Sequence, residues 1–163
     1  LITNVKAKKG MEKDFKQMLD MYEGDVESDN LTWSNLFLNG NYSEFIKQYL
    51  PEFKKKKIVY IVNENANLSG LPFEVVKDFR VGANCIINNY DLIEDIKDWI
   101  TENNIEGYVF LFSVSSLSNF MVHQLLDFND KNTYIDIGTT LNPYLGMKAR
   151  RGYHNGNGKN CIW

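Results

Sequence analysis

Apolar, β-forming runs that alternate with helix-patterned segments constrain this chain more than any other feature. KIVYIVNEN at 57–65 is one such run, and NCIINN at 84–89 reads as a second, shorter one. GYVFLFSVSS at 107–116 gives a third and NTYIDIG at 132–138 a fourth. Between the second and third runs, Asp91 opens LIEDIKDWITENN, whose Leu92, Ile93, Ile96, Trp99 and Ile100 share one helical face. LSNFMVHQLLDF follows the third run as another helix, with Ser116 or Ser118 as its cap. Strands that are apolar nearly throughout are buried on both faces, and helical crossovers join parallel neighbours. The expected fold is therefore α/β: Rossmann-like, with a mainly parallel sheet and helices on both faces.

Upstream of this core, Phe15, Met18, Leu19 and Tyr22 recur at helical spacing, which predicts an amphipathic helix over 1–24 ending at Gly24. The aromatic, asparagine-rich stretch LTWSNLFLNGNYSEFIKQYLPEF breaks at Asn39-Gly40, and Ser43 caps a short helix that Pro51 closes. The 163 residues make one domain's worth of chain, so 1–163 is expected to be a single α/β domain. It opens at Leu1 without an initiator methionine, as a piece of a longer protein would. A net charge of −3 gives no general argument for nucleic acid or an anionic membrane, and the basic run Lys54–Lys57 reads as a solvated strand entry. No apolar run approaches the ~18 residues of a membrane span. Cys85 and Cys161 are too few and too far apart for a metal cluster or disulfide framework, which points to a reducing, cytoplasmic setting.

In an open parallel sheet, ligands bind beyond the carboxyl ends of the strands. Asn63, Glu64 and Asn65 stand at the first tip, Asn88 and Asn89 at the second. Ser113, Ser115 and Ser116 stand at the third; Asp136, Gly138, Thr139 and Thr140 at the fourth. The serine-rich third tip passes directly into a helix, whose first N–H groups favour an anion such as phosphate; plain capping uses the same residues. Arg150 and Arg151, two of only three arginines, follow the acidic fourth tip and have the fork that grips phosphate.

Several common chemistries have no support. There is no G-x-G-x-x-G, no Walker lysine and no G-x-S-x-G elbow. IDIG resembles the start of a methyltransferase motif, but lacks a second glycine and sits in the last strand rather than the first. His123 falls inside a helix, His154 in a Gly/Asn-rich tail, and no His/Cys/Asp cluster has metal spacing.

TWSNLFLNGNY (32–42), YVFLFSVSSLSNFMVHQL (108–125) and YIDIGTTLNPYLGMKARRGY (134–153) resemble segments of the GT-D type glycosyltransferases. The resemblance spans most of the chain from Trp33 onward. It implies a Rossmann-like enzyme of glycan biosynthesis that takes a nucleotide-sugar donor, typically UDP-linked, a glycan or glycoprotein acceptor, and a divalent metal (Mn or Mg). The family's acidic Asp-x-Glu motif is not visible here, so the metal ligands are unassigned. Leu141-Asn142-Pro143 also stands where relatives carry Leu-Asp-Pro. On this reading Asp136 orients a sugar hydroxyl or acts as base, and Asn63, Glu64, Ser113, Ser115, Ser116, Gly138, Thr139, Arg150 and Arg151 hold the donor. Trp33 and Tyr42 stack on a sugar or on the acceptor. The alternative is a non-catalytic nucleotide- or glycan-binding module on the same fold, and a third reading is a scaffold domain.

Overall fold

The computed structural model describes residues 16–17, 20–25 and 36–155. Most of the helix expected over 1–24, together with Trp33 and Cys161, lies outside the described residues. Lys16, Gln17, Asp20 and Met21 are helical, and the chain has left the helix by Tyr22.

Four strands form one all-parallel sheet in the order β2-β1-β3-β4: β1 Ile58–Asn63, β2 Val75–Val81, β3 Val109–Phe112 and β4 Thr133–Asp136. This is the expected α/β, Rossmann-like layout. β1 sits centrally and is apolar almost throughout because neither face meets water; Ile58 to Val62 are all fully buried.

The helices are α1 Tyr42–Glu44, α2 Cys85–Asn88, α3 Leu92–Glu102 and α4 Leu117–Phe128. One sheet face, through Val59, Ile61, Phe110 and Phe112, packs on Ile93, Ile96 and Ile100 of α3 and Leu117, Met121 and Leu125 of α4. Those helical residues recur three and four apart, so each helix turns one stripe inward. Burying each such side chain stabilises the fold by about 1.5–3 kcal/mol. Tyr60, Val62 and Leu111 face the other way, onto Phe45, Leu50, Phe73, Leu141 and Leu145. That second layer consists of short helical segments and a loop. After α1 the chain runs through a π-helical turn, Phe45–Tyr49, and a 3-10 stretch, Leu50–Lys55. Pro51 does not close the helix as expected. It sits in the first turn of the 3-10 stretch, where a missing N–H costs nothing.

NCIINN is not a strand. Cys85–Asn88 is the short helix α2, with Ile87 79% exposed, and the true second strand is Val75–Val81. β2 is an edge strand with mixed burial, so Lys77, Asp78 and Arg80 interrupt its apolar pattern and hide it from a search for continuous runs.

The chain steps from β1 outward to β2, then crosses back to place β3 on β1's other side. Right-handed crossovers require the connections to change faces at that reversal. Accordingly the β1–β2 connection, with Ala66, Leu68 and Leu71, packs on one face, while α3 and α4 pack on the other. The carboxyl ends of β1 and β3 therefore diverge at a switch point.

Candidate functional site

Register brings the strand tips level. Ile61 pairs with Phe112, and Phe112 with Asp136. Backbone bonds extend this ladder past the strands: Ser113 N–H donates to Ile61 O at 2.9 Å, and the N–H groups of Ile137 and Gly138 both reach Phe112 O, at 3.0 and 3.1 Å. Beyond these tips opens a cavity of about 780 Å³. Its walls include Asn63 from β1, Ser113, Ser115 and Ser116 from the β3–α4 turn, Asn119 from the first turn of α4, Asp136 at the end of β4, and Gly138 and Thr139 after it. Asn142, Arg151 and Tyr153 close the side formed by the tail. Most of the sequence-assigned residues thus meet in one place, of a size that holds a drug-sized ligand.

Three of them do not. Glu64 turns outward beyond β2, its carboxylate oxygens 3.5 Å from where a Cβ on Gly82 would lie. Arg150 is exposed and not part of the cavity wall. Tyr42 lines a neighbouring cavity instead. Lys54–Lys57 precedes β1, at the pole opposite the cleft; Lys55 pairs with Glu52, and Lys57 lies over the Tyr108 ring. His123 faces Asp127 across 3.5 Å on the exposed side of α4.

At the β3–α4 turn Ser115 takes φ +57°, a left-handed conformation that L side chains adopt at a cost of about 1–2 kcal/mol. This bend starts α4 directly above the sheet. Ser116 is the N-cap residue but its side chain makes no capping bond. The Ser118 hydroxyl instead accepts from Val114 N–H at 3.3 Å. Ser118 N–H donates to Ser115 O at 3.0 Å, so α4 starts on a backbone turn beside the cleft rather than on the serine cap expected of it. Beneath the turn, the hydroxyl of fully buried Tyr60 lies 2.9 Å from Ser113 Oγ. Burial raises the Tyr60 pKa, so the phenol stays neutral.

Asp136 stands at the cleft mouth, open to solvent on one side. Partial desolvation raises its pKa, and hydrogen bonds from Gly138 N–H (3.1 Å) and the Ser118 hydroxyl work against that rise. Gly138 at φ +53° makes the tight turn that aims its N–H back at the carboxylate. Asn63 spends its side-chain Oδ1 on Asn65 N–H at 3.0 Å. Arg80 braces the same tip, donating from Nη1 to Ala66 O (2.7 Å) and Asn63 O (3.3 Å) while its Nε pairs with Asp78.

The tail folds back onto the fourth tip. Tyr153 OH lies 2.9 Å from Thr139 Oγ1, and His154 Nε2 donates to Thr139 O at 3.0 Å. Burial lowers the His154 pKa first of all, and the nearby Arg151 charge adds to the effect. With Nε2 protonated, the buried Nδ1 has no partner. Asn142 donates a long bond (3.4 Å) to Lys148 O, so an amide suits this position where a carboxylate would face a carbonyl oxygen.

Tyr60, Arg80, Asn119, Tyr144 and Tyr153 carry structural weight here that sequence reasoning missed. A tyrosine inside an otherwise aliphatic strand was the one available signal. Among the described residues no three His, Cys, Asp or Glu side chains are grouped to hold a metal ion. Asp136 is the single carboxylate in the cleft wall, so these residues alone do not fit a resident divalent cation. No described helix is long and apolar enough to cross a membrane. Compared with protein-family models, curated proteins and solved structures, the chain has no match in any of the three.

Proposed function

We propose that the chain binds a nucleotide sugar in this cleft, of the UDP-linked class that the resemblance implies, and transfers the sugar to a glycan or protein-linked acceptor. The observation carrying this reading is the meeting of Asp136, Arg151 and the serine-rich β3–α4 turn at the sheet's switch point. Transfer from a nucleotide sugar builds negative charge on the departing diphosphate, which fixed donors stabilise. Arg151 and the first N–H groups of α4 fill that role. Asp136, made more basic by partial burial, takes up the acceptor's proton. The cytoplasmic setting belongs to the same proposal.

The non-catalytic binding module remains the second reading, favoured by Asn142 in the cleft wall and by the single carboxylate there. Calorimetric titration with UDP, with and without manganese, tests both. Binding is expected, weakened about tenfold or more by Arg151→Ala. No binding under either condition overturns the transferase and the nucleotide-binding module, and leaves only a glycan-binding module. UDP-sugar binding without hydrolysis or transfer, unchanged in Asp136→Asn, selects the module.

A further inference from the structure

Beside the cleft lies a second cavity of about 570 Å³, and Asn39 and Tyr153 belong to the walls of both. Its other walls are largely aromatic: Tyr42, Tyr144 and His154, with Pro143 between. Ring centroids of Tyr42 and Tyr153 are 5.2 Å apart, those of Tyr42 and His154 5.5 Å, and those of Tyr153 and His154 4.4 Å. The bonds from Tyr153 and His154 to Thr139 hold these two wall residues in place.

The ring planes meet at 52°, 70° and 67°. No two of these faces are parallel, so a flat nucleobase has nothing to sandwich it. A puckered sugar ring fits better. Its C–H faces pack on inclined aromatic rings, and its equatorial hydroxyls need hydrogen-bond partners at the edge. The exposed Ser43 and Lys47, which also line the cavity, carry a hydroxyl and an ammonium for them. Tyr42 has its pKa pushed up to about 12, by burial and then by Tyr144 and Tyr153, so it too remains a neutral hydroxyl.

We propose that this cavity is a saccharide-binding acceptor subsite, which deepens and rests on the glycosyl-transfer reading of the adjoining cleft. An acceptor ring held there presents a hydroxyl across the Asn39–Tyr153 edge. Its oxygen forms the new bond to the donor's anomeric carbon. The bond from that carbon to the diphosphate oxygen breaks, its electron pair leaving on UDP, and the hydroxyl proton passes to the Asp136 carboxylate.

Chemical-shift mapping on ring-labelled tyrosine tests this, with the methyl pyranosides of glucose, galactose, mannose and N-acetylglucosamine as probes. At least one probe should shift the Tyr42 and Tyr144 signals without displacing bound UDP. Ser43→Arg, at an exposed position on the rim, should fill the cavity and weaken the saccharide about tenfold or more, while UDP still binds. No shift from any probe, an unchanged saccharide affinity in Ser43→Arg, or competition with UDP overturns the proposal. Saccharide binding without UDP binding overturns the donor cleft instead and leaves the cavity a glycan site.

Discussion

Tyr60 is the residue that ties the core to the cleft. It sits mid-strand in β1, fully buried, and its hydroxyl meets only Ser113 Oγ. A phenol is the stronger donor of the two, so Tyr60 donates and the Ser113 hydrogen is left for a ligand acceptor in the cleft. Tyr60→Phe should cost about 1 kcal/mol of stability and lower UDP affinity, because Ser113 loses its orientation. In a Ser113→Ala background the same change should leave UDP affinity unaltered; an equal loss in both backgrounds would show that Tyr60 does not act through Ser113. His154 makes a second prediction at this scale. Its folded pKa lies below the ordinary 6.5, so the unfolded chain binds the proton more readily. Its contribution to stability is present above about pH 6.5 and is lost as pH falls through the lower folded value, with a slope of at most about 1.4 kcal/mol per pH unit. His154→Gln keeps an N–H for Thr139 O but cannot titrate. Denaturant melts across that window should show a shallower acid slope in the variant, and an unchanged slope would place the titrating group elsewhere.

Among the elements, those carrying a continuous apolar or β-branched run or one full buried stripe were legible, the edge strand β4 included through Thr133-Tyr134-Ile135, and the charge-interrupted edge strand β2 was not. β1 and β3 announce themselves because every position from Ile58 to Val62 and from Val109 to Phe112 is inside. α3 and α4 do so through their stripes of Ile, Leu and Met. β2 failed because an edge strand keeps Lys77 and Asp78, and α2 misled because Ile86 and Ile87 are apolar yet exposed. The site followed the same logic. Tips of the legible strands gave Asn63, Ser113 and Asp136 correctly as neighbours. Glu64 and Arg150 went astray because a chain position next to a tip does not say which way the side chain leaves it. Contacts between distant loops were out of reach altogether, and Gly70 is the clearest case. It lies in the 3-10 turn Leu68–Gly70, where an added Cβ would fall 2.2 Å from the Tyr144 carbonyl oxygen. A backbone atom cannot swing aside as a side-chain tip can. Gly70→Ala should therefore displace the Tyr144 segment and destabilise the fold by about 1–3 kcal/mol. It should also weaken saccharide binding beside Tyr144. Full stability in thermal and urea melts would mean the two loops separate easily.

At the scale of the whole molecule, charge and topology put two positively charged regions of the described residues at opposite poles. With a net charge of −3 the protein as a whole repels a diphosphate, so a binding site needs local positive charge or fixed N–H groups. Among the described residues two regions qualify. The run Lys54–Lys57 lies before β1, at the amino-terminal pole, where Lys55 is engaged with Glu52. Arg151, itself exposed, and the start of α4 line the cavity at the carboxyl-terminal pole. Flexible, hydrated lysines attract phosphates but hold them loosely, whereas a cavity at the switch point offers fixed donors on several sides. A ligand that binds only the folded chain stabilises it by mass action, by about 2.7 kcal/mol at a hundredfold excess over its Kd. That gain appears as slowed amide exchange where the ligand sits and in the elements it couples. With UDP bound, local protection should concentrate at 63–64, 113–118 and 137–139, with little local gain at 54–57 or at Tyr108. Arg151→Ala should remove most of it, while replacing Lys54 to Lys57 by glutamine should leave it intact. Protection that instead follows the lysine run would move the anion site to the other pole and take the transferase reading with it.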